Sequence, residues 1–288
     1  MVSSLLAAPV NAQIFDSGPS DPALFDNVFN LPGDSFNSSA GGSTQLNVFD
    51  GGTIGSGGFT INGIELNVSG GNVGSGGFTA LLSELNISGG DVGSGGFRLG
   101  NDSVLNLSGG EAGSGGFFVE SGGVANVSGG EAGSGGLIVE SGGVLNLSGG
   151  EAGSGGLTVE SGGVLNLSGG EAGSGGFTVE SGGVLNFSGG GSGGSGGFGT
   201  SSGSQVNIFG TEFFLQGSPL VLTDGVPFTI NDLGVNLTGT LLDGESFNVF
   251  LGASNTGTFT VSQPVPEPSS LIVFAISGTM LLARRRKA

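Results

Sequence analysis

Eight glutamates recur in this chain at a spacing that could assemble a cation site. Glu111, Glu131, Glu151 and Glu171 follow one another every 20 residues, and Glu120, Glu140, Glu160 and Glu180 repeat at the same interval nine residues further on. If 20 residues make one turn of a stacked fold, each set becomes a column of carboxylates about 4.8 Å apart, the spacing of neighbouring β-strands. Like charges that close repel by about 1 kcal/mol per neighbouring pair in water, and by less with salt. Divalent cations would relieve the repulsion, so weak and diffuse calcium binding is the chemistry these columns could do. The alternative is a pair of solvated acidic ribs. The spacing departs from the calcium-binding nonapeptide G-G-x-G-x-D-x-U-x, because no Asp occupies the required position.

A second set of polar residues keeps the same period. Asn47, Asn67, Asn86, Asn106, Asn126, Asn146, Asn166, Asn186 and Asn207 lie 19 to 21 residues apart. Asn67-Val68-Ser69 and six later copies fit the N-x-[ST] glycan acceptor. The better reading is structural: amides stacked on successive turns hydrogen-bond to one another, as in other cross-β ladders. That reading accounts for Asn47 and Asn207, which keep the amide where the following Ser is missing.

Columns of this kind need a scaffold that repeats with them. The most regular stretches read VLNLSGGEAGSGGLTVESGG from Val144 and VLNLSGGEAGSGGFTVESGG from Val164. An aromatic residue or Leu follows each Gly-Ser-Gly-Gly, at Phe59, Phe78, Phe97, Phe117, Leu137, Leu157, Phe177 and Phe198. Each copy holds two short pieces with period-2 alternation, VLNLS and FTVES, separated by glycine corners. Neither piece buries its apolar side alone, so coil stacks on coil and each strand pairs in parallel with its equivalent one turn along. The predicted fold is all-β: a parallel β-solenoid (β-helix) of about eight ~20-residue coils over 45–209. In the coil from Val144, Leu145, Leu147, Ala152, Leu157 and Val159 point inward, with Glu151, Thr158, Glu160 and Ser161 outward. Paired glycines such as Gly149-Gly150 and Gly155-Gly156 supply the turns and the close approach between coils. A disordered glycine-rich linker would have no reason to keep an apolar residue at every tenth position. Residues 13–44, carrying Phe15, Phe25, Phe29 and Phe36, read as an N-terminal cap. Residues 210–263, with the longer runs FFLQGSPLVL, VPFTI, VNLTGTLL and SFNVFLG, read as a β-rich C-terminal cap that stops edge-to-edge aggregation.

Composition narrows the function. The chain has 67 glycines in 288 residues and lacks His, Cys, Trp and Tyr. Without His there is no ordinary general base near neutral pH and no imidazole ligand. Without Cys there is no thiolate, disulfide or zinc knuckle. A polysaccharide lyase would need a base and a cation to meet a uronate, and the array offers only Arg98. A glycoside hydrolase needs only two carboxylates, but near-identical coils provide no unique cleft. The chain therefore reads as a non-enzyme with no cofactor beyond weak calcium. Its net charge of −18 repels nucleic acid and anionic membranes. A flat ice-binding face would need a regular outward Thr column, and the candidate column runs Thr60, Thr79, Arg98, Phe118, Ile138, Thr158, Thr178, Gly199, broken in its middle. No motif marks or excludes adhesion or glycan binding.

The termini read as addresses. Leu5 to Ala8, Pro9 and then Val10-Asn11-Ala12 look like the second half of a secretory signal peptide over 1–12, without its positive n-region; a plain apolar N-terminus is the alternative. At the other end, the apolar run 271–283 would span roughly 20 Å as a helix, short of the ~30 Å hydrocarbon core. Arg284, Arg285, Arg286 and Lys287 follow it, a cytoplasmic stop-transfer signal by the positive-inside rule. With 264–288 removed, 22 acids would face Arg98 alone, a net charge of −21.

Val265-Pro266-Glu267-Pro268, then a short apolar helix, then an Arg cluster, in that order at the C-terminus, resembles the PEP-CTERM sorting tail of exported proteins in Gram-negative bacteria. The resemblance covers about the last 25 residues. It implies a transient partner, an exosortase, which would cut near Pro266-Glu267-Pro268 after the short transmembrane helix has held the chain at the membrane. The product would pass to the cell surface, the outer envelope or an exopolysaccharide matrix. The same tail is sometimes labelled as the C-terminal domain of ice-binding proteins, which says nothing about the body of the chain.

Overall fold

The computed structural model describes residues 13–17, 28–29, 34–37, 44–49, 53–54, 58–100, 102–173, 175–192 and 198–264. These form an all-β parallel β-solenoid of about seven turns, with no helix among the described residues. The eight copies of the Phe/Leu column mark off seven complete turns, one fewer than the eight coils that the column predicts. Among the described residues no helix is long and apolar enough to cross a membrane. The signal-peptide reading of 1–12, the motif Val265 to Pro268, the helix 271–283 and the basic run Arg284 to Lys287 all lie outside the described residues.

One coil shows how the repeat folds. Val144–Ala152 runs as an extended segment, pairing in register with Val164–Ala172 (Val144↔Val164, Asn146↔Asn166, Glu151↔Glu171). The register shifts at Ser148 and again before Glu151, so the segment bends at Ser-Gly-Gly. A tight turn follows, closed by Gly156 N donating to Gly153 O (2.7 Å), and the chain returns as Leu157–Val159. A second turn, Glu160 to Gly163, is closed by Gly163 N donating to Glu160 O (2.9 Å). Its third residue, Gly162, has φ 81°, the left-handed value that a type II turn demands there. The Ser-Gly-Gly bend divides its two requirements between its glycines. A side chain on Gly149 would collide with the carbonyl of Ser128, while Gly150 has φ 75° and would place a Cβ 2.5 Å from Gly130 O. Ser148 Oγ, next to them, bonds the carbonyl of Val127 one coil earlier (3.4 Å).

Stacking these coils builds two sheets with the core between them. The first carries the Asn column (the Asn sheet); the second, of nine strands among the described residues, carries the Phe column (the Phe sheet). Leu145 and Leu147 from the Asn sheet meet Leu157 and Val159 from the Phe sheet, with Ala152 beside the bend, and all five are buried as the alternation predicts. Each buried Leu or Val contributes about 1.5–3 kcal/mol. The Phe column stacks ring against ring, with centroids 5.0 Å apart for Phe78–Phe97 and 4.9 Å for Phe97–Phe117. Leu137 and Leu157 interrupt it before Phe177 and Phe198 resume at 5.3 Å.

The ends differ from each other. At the N-terminal end, Gln13–Ser17, Val28–Phe29 and Asp34–Asn37 pair in parallel with their equivalents one coil on, so the stretch predicted as a cap lies on the stack in the manner of a coil. At the other end, Gln205–Leu215 begins in the Asn sheet and then leaves it to pair antiparallel with Val235–Leu241, which pairs antiparallel with Ser246–Leu251. The chain comes back as Thr258–Ser262 to add one parallel rung on Gln205 to Phe209, and Phe228–Ile230 covers that rung antiparallel. An antiparallel strand breaks the parallel repeat, so no further coil continues in register and the stack is capped.

Candidate functional site

The Asn column is a continuous hydrogen-bonded ladder. Each Nδ2 donates to the Oδ1 one coil earlier, from Asn67 to Asn47 (3.0 Å), through Asn146 to Asn126 (2.9 Å), to Asn207 to Asn186 (2.9 Å). Thr260 Oγ1 ends it by donating to Asn207 Oδ1 (2.7 Å). All bonds point the same way, so their dipoles add along the stack. One N–H of each Nδ2, the nitrogen that a glycan would need, is held in this ladder.

The first acidic column forms as the spacing predicts. Glu111↔Glu131, Glu131↔Glu151 and Glu151↔Glu171 are direct partners in the parallel ladder. Asp91 and Asn72 extend it in register, a continuation visible in the sequence because Asp91 follows Asn86 at the same five-residue offset that separates Glu111 from Asn106. Serine hydroxyls from the Gly-Ser-Gly-Gly corners reach these carboxylates: Ser134 Oγ donates to Glu111 Oε1 (2.8 Å) and Ser154 Oγ to Glu131 Oε1 (3.1 Å).

The second column has an ordered end that periodicity does not reveal. Glu120 leans back over Gly100 to bond Arg98 Nη1 at 2.7 Å. A Cβ on Gly100 would sit 2.8 Å from Glu120 Oε2 and 3.2 Å from its Cβ, so a larger residue there would push the Glu120 side chain aside. The Arg98 guanidinium also lies over the Phe118 ring, 4.6 Å from its centroid. Glu140, next in the column, has its carboxyl held above the usual range, chiefly by burial and then by the charges of Glu120 and Glu160, with Arg98 opposing. Among the described residues no group of three or more acidic side chains is arranged to hold a metal ion. Calcium at these columns would have to bridge carboxylates of neighbouring coils.

A broad concavity lies on the outer face of the Phe sheet. Phe118, Ile138, Thr158, Thr178 and Gly199 line its floor in strict register. Asn236, Asn248, Phe250 and Gly252, from the antiparallel strands of the C-terminal cap and the turn after them, form its wall. Its volume is about 960 Å³. The broken Thr column of the sequence is therefore the floor of a groove, which period-20 reading alone could not show. A smaller depression of about 370 Å³ follows the Asn ladder and its flanking serines past Phe49.

Comparison with protein-family models, curated proteins and solved structures finds no match.

Proposed function

We propose that the chain is an exported structural or interaction protein of the cell surface or extracellular matrix, delivered by exosortase processing of its C-terminal tail. The observation that carries the reading is the tail itself: Val265-Pro266-Glu267-Pro268, an apolar run and Arg284 to Lys287, in that order. The body supports it. Near-identical coils joined by one uninterrupted amide ladder are a scaffold that presents the same surface many times, and the acid excess keeps such a rod soluble outside the cell. The carboxylates stand in columns of like residues, without a His or Cys in the chain, which favours a binding or structural role over catalysis. Partners in this reading are an exosortase during processing and exopolysaccharide or envelope components afterwards, with no nucleic acid.

Mass spectrometry of the protein recovered from envelope and culture-medium fractions of its host tests the reading. The expected result is a mature C-terminus at or near Pro266 to Pro268, with no peptide reaching Arg284 to Lys287. Intact tail in secreted material rules out the cleavage.

A further inference from the structure

We infer that the groove between the Phe sheet and the C-terminal cap binds a neutral polysaccharide chain laid along the solenoid axis. The inference goes beyond export and processing and stands or falls without them.

The first argument is charge. The chain carries 23 acidic residues, yet none lines this groove. An anionic polymer would still meet the field of the rod around it, whereas a neutral one would not. The second is repetition. The floor offers one outward side chain per coil over four coils, Phe118, Ile138, Thr158 and Thr178, three steps of about 4.8 Å or roughly 14 Å, before it ends at Gly199. A ligand that itself repeats, with a sugar ring about as long as one coil rise, meets one floor position at every step. The third is the chemistry of the lining. Phe250 is 58% exposed at the wall, an aromatic side chain of the kind that stacks on a pyranose. Thr158 and Thr178 supply hydroxyls, and Asn236 and Asn248 supply amides, the donors and acceptors that sugar hydroxyls use.

The same geometry disfavours an extended peptide. The glycine carbonyls beside the floor are already taken by the ladder, since Gly136 O accepts from Phe117 N, Gly156 O from Leu137 N and Gly176 O from Leu157 N, each at 3.0 Å. A peptide strand would find few free main-chain partners there, and main-chain bonds are what strand addition depends on.

The test is affinity electrophoresis of the full chain in gels containing hydroxyethyl cellulose, glucomannan, laminarin or dextran, with alginate as the anionic control. Titration calorimetry with the hexasaccharide of whichever polymer retards the protein gives the affinity. Retardation by at least one neutral polymer is expected. Phe250→Ala should weaken the hexasaccharide by about tenfold, and Thr178→Glu, which puts a charge on the floor, should abolish retardation. Both side chains are exposed, and an unchanged thermal melt of each variant shows that the fold is kept. No retardation by any neutral polymer, stronger retardation by alginate, or binding that survives either variant undiminished overturns the inference. So does capture of a synthetic one-repeat peptide, Val144 to Gly163, in the absence of any sugar binding.

Discussion

Glu140 has like-charged neighbours on both sides of its column and no ion-pair partner among the described residues. Burial and the charges of Glu120 and Glu160 raise its folded pKa above the ordinary carboxylate value. A carboxyl raised in this way costs stability when ionised. The folded state binds the proton more readily than the unfolded state, so stability falls as pH rises through the window between the ordinary value and the folded one. Glu140→Gln is therefore expected to raise the melting temperature slightly at pH 7, and the advantage should vanish as pH drops to about 3, well below the ordinary carboxylate value, where the wild-type carboxyl is protonated in both states. Melting curves of the two proteins from about pH 3 to 8 check it; a difference that does not change with pH would remove the electrostatic cause. Arg98 marks the same point from the other side, since it meets Glu120 and leaves Glu160 and Glu180 without a comparable partner among the described ion pairs.

At the scale of the element, each strand of the Phe sheet is three to five residues long and owes its position to alternation. Leu147 is fully buried and Thr158 faces outward, as the repeat pattern predicts. Leu147→Asp places an unpaired charge between the sheets and should cost roughly 3–5 kcal/mol. Thr158→Asp on the groove floor should change stability by less than about 1 kcal/mol. Urea unfolding of both variants checks the pair, and equal losses would mean that the two faces are wrongly assigned.

For the whole molecule the governing quantity is charge per length. A rod with 23 acids and five bases repels itself along its columns, and folding brings those charges to one-coil spacing. Sodium chloride should raise the melting temperature by screening. Calcium at equal ionic strength should add a further small rise, because one divalent ion bridges two carboxylates that sodium only screens, and a ligand that prefers the folded state stabilises it. Gln at Glu120, Glu140, Glu160 and Glu180 together should reduce that excess without unfolding the chain. A calcium rise no larger than that of sodium would leave the columns as solvated surface.

The solenoid, its inward faces and its Asn ladder were legible in the sequence because a repeat makes long-range contacts local: knowing one coil fixes its neighbour, and residues such as Asn146 and Asn166 or Glu151 and Glu171 meet because they are 20 apart. The same rule gave the first acidic column, and Asp91 lay within reach of it. Contacts between unlike positions were not legible. Arg98 meets Glu120 across 22 residues, past Gly100, Thr258–Ser262 returns across more than fifty residues to cover Gln205 to Phe209, and the cap brings Phe250 to the same concavity as Thr178, which turns a broken column into a groove. Periodicity carries no information about such pairs, since each depends on the path of a segment that does not repeat; only the tertiary structure decided them.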